Sequence, residues 1–174
     1  DTLAALRNAR VPLAMVDAEA AGVPCTVVDD IRGGSLATEH LIALGHRRIG
    51  FIGDSPAHDL GCISIRRRLL GYRRALSRLR ISYDPGIVRL GEHSASVAAA
   101  ITQELLDLPE PPTAIFAASD TQALGVLAAA RTSGHSVPDG LSVVGYDDIE
   151  SAAQLGLSTV HQPPAETVAC GASR

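Results

Sequence analysis

TAIFAASDTQALGVLAAARTSGHSVPDGLSVVG, residues 113–145, decides the fold. Residues 113–118 are a strand-length apolar run in which Ala114, Ile115 and Phe116 show little alternation, the mark of a strand covered on both faces. Ser119 and Asp120 supply a hydroxyl and a carboxylate suited to capping, and the Ala-rich stretch 121–132 then predicts a helix. Gly134 ends it, because glycine takes the left-handed conformation without steric cost, and Pro138 with Gly140 makes a turn into a second apolar strand over 141–145. A strand, a helix and a strand in succession require a right-handed crossover, so the two strands lie parallel.

The same alternation extends outward. Strand 48–52, helix 64–79, strand 87–90 and helix 94–106 precede the quoted stretch and complete a βαβαβαβ series. In helix 64–79, Ile65, Leu69, Tyr72, Leu76 and Leu79 fall three and four apart and form one buried stripe. Farther upstream, 2–8 fits the tail of an amphipathic helix, and 11–16 and 25–28 are short strands. Gly33, Gly34 and Ser35 read as a turn with an N-cap, followed by a helix over 36–44 that stops at Gly45. The fold class is α/β with a doubly wound parallel sheet. No internal repeat or low-complexity tract interrupts it.

Composition narrows the function. Of 174 residues, 46% are hydrophobic, enough for a substantial core. The formal net charge is −4, with all 15 cationic residues arginine, so this segment is not itself built to grip a polyanion. No apolar run is long enough to span a membrane and the first residues lack a secretory layout, so a cytoplasmic protein without a membrane partner is expected. Cys25, Cys62 and Cys170 have neither zinc spacing nor an even count and are read as buried or half-buried thiols. Met15 is the only methionine and the chain opens within a helical pattern, so a preceding segment is expected.

In an open parallel sheet a small ligand binds at the carboxyl ends of the strands. Those ends carry Gly53, Asp54 and Ser55; Gly91, Glu92 and His93; Ser119 and Asp120; and Tyr146, Asp147 and Asp148. Arg66, Arg67 and Arg68 join them from the following helix. A rim of carboxylates, hydroxyls and guanidinium suits a neutral polyhydroxylated molecule, whose hydroxyls donate to Asp and accept from Arg. Plainer roles stand beside these: Ser119 and Asp120 as helix caps, Asp148 as a loop carboxylate, Arg67 and Arg73 as a solvated helix face. The chain contains no GxGxxG, GxxxxGK[ST], GxSxG or HExxH, so no enzyme is expected. His46 precedes a strand and falls at the opposite sheet edge. Asp29-Asp30 and Asp147-Asp148 have no histidine at ligand spacing, so neither a metal nor a cofactor is expected.

Four ordered motifs, HLIALGHRRIGFIG (40–53), RLLGY (68–72), PTAIFAASDTQALGVLAAA (112–130) and VPDGLSVVGYDDIE (137–150), make the chain resemble the lactose/galactose repressor (LacI/GalR) family from about Val11 onward. The resemblance implies a periplasmic-binding-protein-like sensor of two α/β lobes, with a sugar-like effector in the cleft between them. It divides the chain into a remnant of the first lobe, 1–30 and 158–174, and a complete second lobe, 31–157. It also implies a homodimer that contacts DNA through a helix-turn-helix lying outside this sequence. Carried over by motif, Arg68 of RxxGY becomes the ligand-gripping arginine and Asp147 of GYDD the hydroxyl-binding carboxylate. Ser119 becomes a polar contact, and His93 stands where some relatives place a stacking aromatic. The chain departs from the family pattern over 156–160 and at Gly140. A periplasmic sugar-binding protein serving a transporter shares the lobes and remains the rival, to be separated by whether a signal peptide or a helix-turn-helix precedes Asp1.

Overall fold

The computed structural model describes residues 5–6, 13–16, 22–55 and 62–162. Contacts divide the chain into two units, Asp1–Asp29 with Pro163–Arg174, and Asp30–Gln162. In the first, Ala5 and Leu6 are helical, and strands β1 (Met15–Val16) and β2 (Cys25–Thr26) pair in parallel. Cys25, expected to be buried or half-buried, is exposed: it sits on a strand that pairs with β1 alone among the described residues. The side chains of Cys62 and Cys170 lie outside the described residues.

The larger unit runs α1 (Asp30–Ala43), β3 (Ile49–Asp54), α2 (Cys62–Arg78), a 3-10 turn (Pro85–Ile87), β4 (Val88–Gly91), α3 (Ala95–Leu106), β5 (Ala114–Ala117), α4 (Asp120–Thr132), β6 (Ser142–Asp147), α5 (Glu150–Gln154) and β7 (Ser158–His161). Its five strands stand in the order β4-β3-β5-β6-β7, every neighbouring pair parallel. This is the doubly wound α/β sheet that the alternation of strands and helices predicts.

Strand parity builds the two layers, because successive side chains point to opposite faces. Ile49, Phe51, Ala114, Phe116, Val144 and Tyr146 pack on one face against Leu41 and Ile42 of α1 and Ile65, Tyr72 and Leu76 of α2. The intervening Ile52, Ile115, Ala117 and Val143 pack on the other face against Ala98, Ile101 and Leu105 of α3 and Ala123, Val126 and Ala130 of α4.

Some elements differ from the sequence expectation. Helix α1 starts at Asp30, so Gly33, Gly34 and Ser35 are helical and not a turn. These glycines serve packing: a Cβ on Gly34 would overlap the backbone of Arg68, one on Gly71 would overlap the Ile31 carbonyl, and one on Gly33 would strike the Tyr146 ring. Helices α1 and α2 therefore meet backbone to backbone. The short helix α5 and strand β7 had no separate expectation, and β7 adds to the sheet edge beside β6.

Candidate functional site

Arg68 projects from α2 and is only 5% exposed. Its Nε donates to Asp30 Oδ1 at 2.8 Å, Nη1 donates to the Ala118 carbonyl at 2.6 Å, and Nη2 reaches Gln162 Oε1 at 3.4 Å. The guanidinium lies 3.7 Å from the centroid of the Tyr146 ring, a cation–π contact that fixes its plane. Four elements thus hold one cation: α1 through Asp30, the end of β5 through Ala118, β6 through Tyr146, and the end of β7 through Gln162. Burial of a charge this deep is tolerable because the partner carboxylate and the carbonyl satisfy it.

Asp147 is the last residue of β6, and its Oδ1 stands 3.6 Å from Arg68 Nη1. Its backbone turns sharply, with φ of +112° at Asp147 and +58° at Asp148, both unfavourable for residues bearing a Cβ. The bend ends the strand and leaves the carboxylate one-third exposed at the rim, 35% by side chain. Partial burial pushes its carboxyl up to about 6; Arg68, His93 and a hydrogen bond from the Asp120 backbone amide oppose the rise, and the Asp120 charge adds to it. Burial likewise raises the Tyr146 phenol above its ordinary range, so that group stays neutral.

Ser119 and His93 belong to a second cluster on the same edge. Ser119 is the N-cap of α4: its Oγ accepts the Gln122 amide at 3.2 Å and is 2% exposed. Gln122 Nε2 donates to Asp54 Oδ1 at 2.8 Å, and His93, exposed in the loop after β4, bonds Asp54 at 3.0 Å through Nδ1. Ser119 follows Ala118, whose carbonyl holds Arg68, so the two clusters meet at the end of β5. The structure brings Arg68 and Asp147 into contact and places Ser119 and His93 beside them through Gln122 and Asp54. It assigns Ser119 the capping geometry.

The remaining rim residues separate. Asp120 makes no cap with its side chain and turns toward Ile149 and Thr159. Asp148 pairs with His161 at 2.8 Å, both exposed. Arg73 is exposed, as a solvated helix face requires, and its guanidinium lies 4.6 Å from the Tyr83 ring centroid. His46, at the amino edge, bonds Thr113 Oγ1 at 2.9 Å. Asp30, Tyr146, Gln122 and Gln162 were not singled out as partners from sequence. Nothing in local spacing pairs Asp30 with a helix thirty-eight residues on.

Comparison with known proteins identifies the family of the fold. Residues 38–172 match the model of the periplasmic binding protein-like domain. The chain is 32% identical over 161 residues to the HTH-type transcriptional repressor PurR of Vibrio atlanticus, covering 90% of this chain and 47% of that protein. It is 36% identical over 147 residues to the repressor CytR of Escherichia coli, covering 84% and 40% respectively. The chain therefore spans about half the length of the curated relatives it matches. Among solved structures, a LacI-family regulatory protein from Chloroflexus aggregans superposes with a TM-score of 0.87 at 30% identity, covering 97% of this chain and 61% of that one. A LacI-family regulator from Enterococcus faecium with bound ribose gives 0.86 at 29%, covering 97% and 62%. The regulator CelR in complex with cellobiose gives 0.84 at 36%, covering 97% and 52%. With residues 38–172 matched by the family model and LacI-family regulators among the structural neighbours, this chain belongs to the periplasmic binding protein-like domain family, in the form carried by LacI-family transcriptional regulators.

Proposed function

We propose that this chain is the effector-sensing part of a DNA-binding transcriptional repressor and that its effector is a sugar or sugar derivative held at the carboxyl edge of the five-stranded sheet. The observation that carries the reading is the Arg68–Asp147 pair, a buried, fully oriented guanidinium 3.6 Å from a carboxylate left at the rim. A sugar presents hydroxyls that both donate and accept, and this pair offers one acceptor and one donor that are already ordered. Asp147 accepts from a hydroxyl; Arg68, through Nη2, donates to an oxygen. His93 forms an outer contact, and Ser119 presents the Gln122 amide by capping its helix. The ribose and cellobiose named with two structural neighbours support a sugar as the ligand class.

DNA contact belongs to a helix-turn-helix outside this sequence, in line with the repressors among the relatives. The working protein is a cytoplasmic homodimer, with paired DNA-binding heads matching two half-sites. The division expected from sequence, 1–30 with 158–174 against 31–157, shifts to the contact boundary: 1–29 with 163–174 is read as the remnant of an N-terminal lobe, and 30–162, which includes β7, as the C-terminal lobe. The chain performs no catalysis and uses no cofactor: effector binding shifts the regulator between two states of different DNA affinity.

Isothermal calorimetry of the full-length protein against ribose, cellobiose and a panel of pentoses and hexoses tests the reading. A hydrogen bond to a charged group contributes about 1.5–3 kcal/mol, so Arg68→Ala and Asp147→Ala should each weaken the best sugar about 10- to 100-fold. Unchanged affinity in both variants ends the assignment of the site.

A further inference from the structure

The backbone at Asp147 is held in an unfavourable conformation, and strain of this kind persists only where the surroundings over-determine it. The surroundings here converge on one carboxylate. Asp120, the first residue of α4, is fully buried at 0% exposure. Its Oδ2 accepts the Ile149 amide at 2.9 Å, and its Oδ1 accepts the Thr159 hydroxyl at 2.7 Å. That hydroxyl in turn accepts the Asp148 amide at 3.3 Å. Both amides that follow Asp147 are thus gathered by one side chain, directly for Ile149 and through Thr159 for Asp148. Space for the carboxylate comes from Gly145, where any Cβ would overlap Asp120 Oδ1.

We infer that Asp120 is the positioning residue of this site: by collecting the amides of Asp148 and Ile149 it bends the chain after β6 and aims the Asp147 carboxylate at Arg68. It touches no ligand itself. The same carboxylate ties that bend to β7 through Thr159, and β7 is followed directly by Gln162, whose side chain contacts Arg68. Both members of the pair are therefore referenced to one strand. The inference rests on the sensor reading for its purpose, but its geometry is testable without ligand.

Asp120→Asn keeps the shape and one acceptor while removing the charge. In the ligand-free chain two NMR readouts follow. Amide exchange at Asp148 and Ile149 should accelerate at least about tenfold as the bend loses its anchor. The titration midpoint of the Asp147 carboxyl, followed by its carbon shift, should move to lower pH, because a neighbouring negative charge that disfavours its ionisation is gone. Arg68 and His93, the other charged groups that act on Asp147, are unchanged by the substitution. A residue that merely fills space would leave that midpoint in place. Wild-type exchange at both amides together with a wild-type midpoint overturns the inference.

If Asp120→Asn does not fold, Thr159→Val supplies the test, since it cuts the relay to Asp148 and leaves the Ile149 bond. Exchange should then rise at Asp148 and not at Ile149, and equal rates at both positions overturn the inference. Calorimetry with the sugar panel separates the two readings. Altered ligand-free readouts with no sugar bound by wild type sink the sensor reading and leave Asp120 as the anchor of the bend. Wild-type sugar affinity in folded Asp120→Asn sinks the positioning role.

Discussion

Arg68 is held by partners that do not tolerate its loss. Asp30, its closest carboxylate, is 1% exposed by side chain, so Arg68→Ala strands an anion in the core. Breaking a buried pair in this way costs about 3–5 kcal/mol. The double variant Arg68→Ala with Asp30→Asn should cost less than the sum of the two single changes, because the stranded charge is gone. Urea unfolding of the three variants checks this, and additive losses would show that the pair is not energetically coupled. Asp147 behaves in the opposite sense. Its carboxyl titrates near 6 in the fold against an ordinary value of 3.8, so the folded state holds the proton more tightly. The stability it contributes is complete below the ordinary value and is lost as pH rises through about 6. Asp147→Asn should therefore stabilise the protein at neutral pH and above, by about 1 kcal/mol once solvent screening of the rim carboxylate is allowed for. The gain should vanish near pH of about 4. Sugar affinity should follow the ionised form and fall as pH drops through the same range, because a protonated Asp147 loses its charge and with it the stronger, charge-assisted acceptance of a hydroxyl. A residue placed for stability alone would show neither trend.

At the scale of elements, α1 and α2 approach through glycine. The Cβ of an alanine at Gly34 or Gly71 would overlap main-chain atoms of the partner helix, and main chain cannot move aside as a side-chain tip can. Overpacking a tight contact costs about 1–3 kcal/mol, so Gly34→Ala and Gly71→Ala should each lower stability by at least that much. Because Asp30 and Arg68 sit on these two helices, the same changes should also weaken sugar binding, whereas Gly45→Ala, where a Cβ would meet nothing, should cost only the strain of its φ of +99°. This contact also shows where sequence reading stops. Strands β3 to β6 and the helices α2, α3 and α4 were legible to within a residue or two because apolar periodicity is local. Gly33-Gly34 looked like a turn because a glycine pair marks one in the absence of tertiary information, and only the close approach of α2 and Tyr146 gives it another meaning. Arg68 and Asp147 were legible as rim residues from the topology of an open sheet. Asp30 and Asp120 were not legible as their supports, since both roles depend on which distant backbone the carboxylate meets after packing.

For the molecule as a whole, the described groups that hold Arg68 and Asp147 fall within one unit. Asp30, Asp120, Tyr146, Thr159 and Gln162 all lie in the Asp30–Gln162 segment, which carries both faces of the sheet with their covering helices. A sheet packed on both sides is a complete core, so a fragment of residues 30–162 should fold cooperatively by itself. Its Asp147 should titrate as in the longer chain, because burial, Arg68, Asp120 and His93, which set that value, are all retained. Sugar affinity is a different quantity, depending on every contact the ligand makes, and in the proposed sensor a share of them comes from outside this segment. The fragment should then keep the raised titration and the protected amides of Asp148 and Ile149 while binding sugar more weakly than the full-length regulator. Carbon-detected titration and calorimetry on the same fragment make the comparison. Loss of the raised titration would mean that the environment of Asp147 depends on the other unit, and full-strength sugar binding would mean that the segment alone is the sensor.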